Sequence, residues 1–135
     1  MARLQVLAVA SRLPAWAEEA CADYARRMPR GYEIARKAFP SLDRLRAALP
    51  AKGRVVALDE RGDDLTTEQF AKLLGQETAF VIGGADGLPA DLKKDAQRLV
   101  RLSSMTLPHA LAQVVLVEQI YRAATLLTGH PYHRS

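Results

Sequence analysis

The sequence predicts an α/β fold with a mostly parallel sheet and helices on both faces. Short apolar runs rich in β-branched residues, such as "RVVAL" (54–58) and "TAFVI" (78–82), alternate along the chain with segments of helical periodicity. Continuous apolar runs of this length are typical of parallel strands that are buried on both faces. The 135 residues are enough for one domain, 1–135, with one core.

The first half of the chain alternates strand and helix. We predict a buried strand at residues 4–9, a helix from Pro14 to Pro29, a weaker strand at residues 32–38 and a short helix on "SLDRLRAAL". The strand at 54–58 follows. The N-terminal apolar run alternates like a strand and is followed by Glu18 and Glu19, so we expect it to be part of the fold and not a signal peptide.

The helix after residue 58 has the clearest boundary signals. Thr66 is a candidate N-cap, and Gln69 occupies the position that completes a capping box. Leu65 and Phe70 have the spacing of a hydrophobic staple, and Gly75 is expected to end the helix.

The remaining elements are a strand at 78–82, a helix that starts at Pro89, a strand at 99–102 and a last helix from Pro108 to Thr128. Polar residues interrupt this last, apolar segment, so we predict no membrane span. Apolar residues occur almost all round it, which favours burial by a second copy in a two-fold homodimer. The alternative is a central core helix of a monomer.

Charge and cysteine content limit the function classes. The net charge of +4 makes a polyanion a reasonable partner, although modest basicity is also common in proteins that bind no nucleic acid. The single cysteine, Cys21, excludes an internal disulfide and a cysteine-based zinc site, and we expect it to be a small core residue in a reducing compartment. This is consistent with a cytoplasmic protein.

Three loops should meet at one edge of a parallel sheet. The segments "DERGDD", "GGADGLP" and "SSMTLPH" follow Leu58, Ile82 and Leu102, and ligands bind at the carboxyl edge of open α/β sheets. Glycines and small hydroxyl residues let a flat, mostly neutral ligand such as adenine with ribose reach the backbone. The alternative for Gly83 and Gly84 is a simple tight turn. Neither a G-x-G-x-x-G fingerprint nor a P-loop is present.

Other chemistry is less well supported by the pattern. Asp59 and Glu60 could bind a ribose, but solvated or capping carboxylates are the favoured interpretation. The serines of "SSMT" lack a G-x-S-x-G elbow, which argues against a hydrolase. No carboxylate or cysteine completes a metal site with the three histidines, His109, His130 and His133.

The C-terminal "HPYHRS" should leave a buried helix in a fixed direction. Gly129 is the expected C′ glycine, and Pro131 prevents the helix from continuing. Arg134 can bind a phosphate or an oxyanion, Tyr132 can stack on a base, and His130 or His133 can contact an anion. The alternative is a solvated basic tail.

Four segments carry a resemblance to a known family: "LQVLAVASRLPAW", "VVALDERGDDLTTEQFA", "FVIGGADGL" and "SSMTLPHALAQVVLVEQIYRAATLLTGHPYHRS". In this order they resemble the RlmH-type large-subunit ribosomal RNA methyltransferases of the SPOUT superfamily, over nearly the whole chain. The chain is shorter than is usual for that family, between about Lys37 and Arg54. We therefore expect this chain to lack any RNA or ribosome contact that the additional residues of the longer version make.

The resemblance implies a C-terminal trefoil knot, a homodimer, and methyl transfer from S-adenosylmethionine to N3 of a pseudouridine in 23S rRNA on the assembled 70S ribosome. Periodicity alone would have excluded a knot. The alternatives are a non-catalytic ribosome-binding or assembly factor and a small-molecule methyltransferase.

Site residues follow from the same resemblance by position, with no metal involved. It implies His109, Tyr132 and Arg134 as catalytic residues, and His130, His133 and Arg134 as RNA-binding residues. The implied cofactor contacts are Leu58, Gly83, Leu102, Ser103, Ser104, Met105, Thr106 and Leu107.

Overall fold

Five parallel strands form one sheet in the computed structural model, which describes residues 2–10, 12–75 and 77–134. The strands are β1 (Ala2–Val9), β2 (Tyr32–Phe39), β3 (Arg54–Asp64), β4 (Thr78–Ile82) and β5 (Arg98–Arg101). Their order is β2-β1-β4-β3-β5, and each neighbouring pair runs parallel. The prediction of a mostly parallel sheet is confirmed.

Helices cover both faces of the sheet, as predicted. They are α1 (Ala15–Arg26), α2 (Leu42–Ala47), α3 (Thr67–Ala71), α4 (Ala90–Asp95) and α5 (His109–Leu127). One face of the sheet packs against α1, α3 and α5 through a cluster that includes Leu4, Phe80 and Leu116. The other face packs against α2 and α4, with Leu45 and Leu92 in the smaller cluster. Because side chains alternate along a strand, neighbouring residues of β1 and β4 supply the two clusters.

The structure extends β3 beyond the predicted strand. The prediction ended it at Leu58 and treated 59–64 as a loop, whereas the strand continues to Asp64. Leu58 and Asp63 both pair with Val100, so β3 shifts its register on β5 by an irregularity between them. Residues 59–64 are polar, so the apolar pattern of a buried strand does not extend over them. In the structure, Asp63 and Asp64 form ion pairs with Arg98 and Arg101 of β5.

The signals around α3 are confirmed. The Thr66 hydroxyl accepts a hydrogen bond from the Gln69 backbone N–H, and the Gln69 side chain accepts one from the Thr66 backbone N–H. Leu65 and Phe70 lie in the same core cluster. The helix is short because it tightens into a 3-10 turn at residues 72–74, which ends at Gly75.

Helix α5 is a core helix that ends as predicted. Gly129 has φ +76°, and the N–H groups of Gly129 and His130 donate to the carbonyls of Leu126 and Thr125. This is a Schellman motif, which a left-handed residue after the helix permits. The tail beyond it is described as far as Arg134, and Ser135 lies outside the described residues.

Helix α5 buries eight residues within its own subunit and leaves others exposed, among them Leu111 at 37% and Leu127 at 46%. Among the described helices it is long and apolar enough to cross a membrane by length and composition, but it packs here against α1 and α3. The homodimer and the trefoil knot stay predictions. Cys21 is fully buried, as predicted, and that burial raises the pKa of its thiol.

Candidate functional site

A cavity of about 930 Å³ opens at the carboxyl edge of the sheet, where β3, β4 and β5 end. Its volume is within the range of small-molecule sites in proteins. The three predicted segments, which follow Leu58, Ile82 and Leu102, all contribute to its wall. The parallel arrangement of the strands therefore brings them together, as the sequence predicted.

The residues that the resemblance implied for the cofactor all line this cavity: Leu58, Gly83, Leu102, Ser103, Ser104, Met105, Thr106 and Leu107. His109, the first residue of α5, lines it as well. All of these residues therefore lie at one cavity, and their roles in cofactor binding and catalysis stay predictions.

Gly83 lies where two backbone segments approach each other closely. A Cβ at this position would come within 2.6 Å of the Gly87 carbonyl carbon and 2.9 Å of the Leu88 nitrogen. Such distances are too short for non-bonded atoms, so only glycine fits without a backbone shift. The Gly87 N–H also donates to the Gly84 carbonyl, at 2.9 Å, which closes the "GGADG" turn. The tight-turn interpretation is thus correct as local structure, and the turn forms part of the cavity wall.

The loop between β5 and α5 is held by its own side chains. The Ser103 hydroxyl accepts a hydrogen bond from the Met105 backbone N–H at 2.9 Å. Met105 is 76% exposed although it is large and apolar. An exposed methionine at the mouth of a cavity is available to a ligand or to another chain.

His109 contacts a buried partner on its own helix. Its Nε2 lies 2.9 Å from Nε2 of Gln113, which is only 4% exposed. One of the two nitrogens must donate and the other accept, so the amide donates to an unprotonated His109 Nε2. His109 is therefore oriented at the cavity wall by a residue one turn further along α5.

The tail folds back onto the middle of α5. The Tyr132 hydroxyl donates to Glu118 at 2.7 Å, and its ring packs edge-on against Tyr121 and under the Arg122 guanidinium. Arg122 also pairs with Glu118 at 2.8 Å, one helical turn away. Burial, followed by the hydrogen bond to Glu118, raises the pKa of the Tyr132 phenol.

His133 belongs to the same network, and its side chain is largely buried. Its Nδ1 lies 3.2 Å from Arg122 Nη1, and its Nε2 lies 3.2 Å from the Glu68 carboxylate at the start of α3. His130 and Arg134 are exposed. The solvated-tail alternative therefore does not describe Tyr132 and His133.

The described tail residues of this chain do not line its cavity. Tyr132 contacts α5 at Glu118, nine residues beyond His109, which is roughly 14 Å along the helix axis. The structure therefore groups the predicted site residues into two places, the cavity with His109 and the tail with His130, Tyr132, His133 and Arg134.

The family model described as "Predicted SPOUT methyltransferase" matches residues 2–133 of this chain. The chain belongs to the SPOUT methyltransferase family. The resemblance stated from the four sequence segments is thereby confirmed.

Full-length relatives of this SPOUT methyltransferase share one name, "Ribosomal RNA large subunit methyltransferase H". The protein from Polynucleobacter asymbioticus is 48% identical over 145 residues, and that from Janthinobacterium sp. (strain Marseille) is 43% identical over 154. Each alignment covers 98% of this chain and 99% of the relative. Both alignments are longer than the chain's 135 residues, so these relatives contain segments that this chain lacks.

Solved structures agree on the SPOUT methyltransferase fold. A structure described for the 2-OH methylation of C/U34 on tRNA has a TM-score of 0.61 at 18% identity, with 95% of this chain and 98% of that chain covered. The SpoU methyltransferase AviRb from Streptomyces viridochromogenes, in complex with AdoMet, has a TM-score of 0.52 at 16% identity, with 96% and 58% covered. At these identities the likeness concerns the fold alone.

Sequence reasoning missed two charged residues of the methyltransferase cavity that lie outside the three segments, Lys93 and Arg101. It also interpreted Asp59 as solvated or capping; the carboxylate is not solvated, but it does cap a backbone N–H. The Asp59 side chain is only 13% exposed, pairs with Lys93 at 3.4 Å and accepts the Arg61 backbone N–H at 3.1 Å. Lys93 is in α4, 34 residues away, so no local pattern could have indicated this pair.

Proposed function

We propose that this SPOUT methyltransferase transfers a methyl group from S-adenosylmethionine to N3 of a pseudouridine in 23S rRNA. The observation that carries the proposal is the single cavity lined by all three predicted segments and His109. Near full-length identity of 43–48% to relatives named "Ribosomal RNA large subunit methyltransferase H" supports a ribosomal RNA substrate. The assembled 70S ribosome is the proposed context, and the cytoplasm the proposed location.

The cavity wall fits a nucleoside cofactor. Gly83 allows the Gly87–Leu88 backbone to pack closely against it and form part of the wall, and the Ser103 hydroxyl is already engaged with the Met105 N–H. Backbone N–H and C=O groups can bind an adenine edge without a side-chain charge. Asp59, held by Lys93, is placed to accept a hydrogen bond from a ribose hydroxyl.

When bound, S-adenosylmethionine supplies an electrophilic methyl group on a sulfonium. The residues of this chain then have two tasks, to position the acceptor base in line with that methyl and to stabilise the anion formed as N3 loses its proton to solvent water. Arg134 is the proposed cation for the second task, because a guanidinium stays protonated at any physiological pH. His109 and Tyr132 are proposed to orient the base.

We further propose that the tail acts on the cavity of a second subunit in a homodimer. The tail is anchored at Glu118, roughly 14 Å along α5 from His109, and its residues do not line the cavity of their own chain. Met105 lines the cavity and is exposed, and Leu111 near the start of α5 is exposed as well; a second copy would cover such apolar surface.

Incubation with labelled S-adenosylmethionine tests the proposal. The acceptors are 70S ribosomes, separated subunits and free rRNA from a strain that lacks the modification, and the methylated base is then mapped. We expect label at N3 of one pseudouridine of 23S rRNA, with 70S ribosomes as the best acceptor. Label at another atom or in another RNA would contradict the substrate assignment.

Two controls separate the alternatives. An assembly factor without catalysis would show no S-adenosylmethionine binding by calorimetry. A small-molecule methyltransferase would bind the cofactor but lose no acceptor affinity as salt rises, whereas binding through phosphates falls steeply with salt.

A further inference from the structure

A second groove, of about 560 Å³, lies on the same edge of the sheet as the cavity. It is formed where β1 and β2 end, by the loop after β1, the first turns of α1 and residues 36–38 of β2. Its wall contains three cations, Arg12, Arg36 and Lys37, and one carboxylate, Glu18. The groove therefore has a positive net charge.

One cation is fixed and two are free to bind an external anion. Arg36 donates to both carboxylate oxygens of Glu18, at 2.6 and 3.3 Å, and its side chain is only 18% exposed. Arg12 and Lys37 are exposed, and neither forms an ion pair with a carboxylate among the described residues. An exposed cation without a carboxylate partner keeps its full charge for a phosphate.

The groove and the cavity are neighbours along α5. Gln113 lines the groove and lies 2.9 Å from His109, which lines the cavity. β2 is two strands away from β4 in the sheet, so the two openings are separated by roughly 10 Å. A single extended ligand can occupy both.

The helix that forms part of the groove wall also carries an exposed aromatic ring. Trp16, the only tryptophan of the chain, follows Ala15 of the groove wall and is 54% exposed. Unpaired bases stack on such rings in proteins that bind single-stranded RNA, and cations beside the ring track the phosphates.

We propose that this groove binds the RNA strand that flanks the methylated nucleotide, with Arg12 and Lys37 on its phosphates and Trp16 stacked on an unpaired base. This inference rests on the proposed function. RNA is favoured over a second copy of the chain, because the centres of protein interfaces are depleted in lysine and in unpaired charge.

The test compares two double variants with the same change in charge. Arg12→Gln with Lys37→Gln removes the free cations of the groove. Arg30→Gln with Lys52→Gln removes two exposed cations next to the opposite ends of β2 and β3. Binding to rRNA extracted from a strain without the modification, and to its intact ribosomes, is measured by filter binding over a salt series.

We expect the groove variant to reduce the slope of log K against log salt by about 1.4, since each phosphate contact of a single strand contributes about 0.7. The control variant should leave the slope close to that of the unmodified chain. Equal slopes in the two variants on both acceptors would overturn the proposal. A change in oligomeric state of the groove variant without a change in slope would identify the groove as a subunit interface and would also overturn it.

Trp16 provides an independent measurement. Its fluorescence should be quenched by rRNA with the same midpoint as filter binding, and Trp16→Leu should weaken binding while Trp16→Phe preserves most of it. Absence of quenching would contradict the proposed stacking of Trp16 on a base. None of these measurements requires methyl transfer, so binding without methylation would contradict only the proposed function, and methylation with unchanged slopes would contradict only the groove.

Discussion

The absence of a Cβ at Gly83 allows two backbone segments of the cavity wall to pack closely. Replacement by alanine would force a Cβ to within 2.6 Å of the Gly87 backbone, and overpacking of this kind typically costs about 1–3 kcal/mol. Gly83→Ala should therefore lower the urea midpoint and weaken S-adenosylmethionine binding in calorimetry.

Gly75→Ala is the matched control for Gly83→Ala. Gly75 has φ −71°, and the nearest atom to a new Cβ would be 3.9 Å away. Alanine in such a conformation stabilises by about 0.4–1 kcal/mol through the unfolded state. A loss of stability as large as that of Gly83→Ala would show that the close approach at Gly83 is not the cause.

Glu18 provides a pH-dependent prediction. Its hydrogen bonds with Arg36 lower the pKa of the carboxyl, so the pair stabilises the fold above the unfolded pKa of about 4.3 and this contribution disappears as pH falls through the folded value. Glu18→Gln should destabilise the protein at pH 7, and the difference from the unmodified chain should shrink below pH 4. Urea midpoints at the two pH values measure it.

Glu19→Gln serves as the control, because Glu19 is exposed and forms no ion pair within the described ranges. Its effect should be small and equal at both pH values. A Glu18→Gln difference that persists unchanged in acid would assign the effect to packing and not to the charge.

Single residues differ in how far sequence reveals them. The Thr66 cap and the Gly129 C′ position depend on neighbours within a few residues, and both were predicted. The Asp59–Lys93 pair depends on how α4 packs beside the end of β3, and it was missed. Local geometry is encoded in short patterns, whereas the environment of a side chain is set by elements distant in the chain.

At the scale of elements, β4 was predicted to the residue, while β3 was predicted six residues too short. All five residues of β4 are buried, so its apolar run coincides with the strand. Residues 59–64 are polar because they lie near the edge of the sheet, where ion pairs with β5 replace apolar burial. Periodicity identifies buried strands better than strands whose register shifts.

The junction of α5 and the tail provides a prediction at the same scale. Gly129→Ala places a Cβ in the left-handed region, which costs roughly 1–2 kcal/mol, and Gly129→Asn should cost less because asparagine tolerates that region. Since the Schellman motif sets the direction of the tail, Gly129→Ala should reduce methyl transfer more than cofactor affinity. Thermal unfolding and turnover measure the two effects. Equal losses in Ala and Asn variants would argue against backbone strain.

At the scale of the whole molecule, the cavity and the tail lie apart. In the sequence, α5 separates the last cavity loop from the tail. The single subunit holds Tyr132 and His133 on α5 and α3, not at the cavity. A tail anchored in this way can still serve catalysis if a two-fold axis brings it to another subunit, because each subunit then supplies one half of each site. No sequence pattern within one chain indicates which subunit's cavity the tail serves.

Mixed dimers test this arrangement. Arg134→Ala removes the proposed cation of the tail, and Ala85→Trp, in which an indole would fill the mouth of the cavity, is first shown by calorimetry to bind no cofactor. Each variant alone should be nearly inactive. After co-refolding of equal amounts of the two variants, half of the dimers contain both chains. In each mixed dimer, one of the two sites combines an intact cavity with an intact tail. About a quarter of the unmodified activity should therefore return. If each tail served its own cavity, the mixture would stay as inactive as its components.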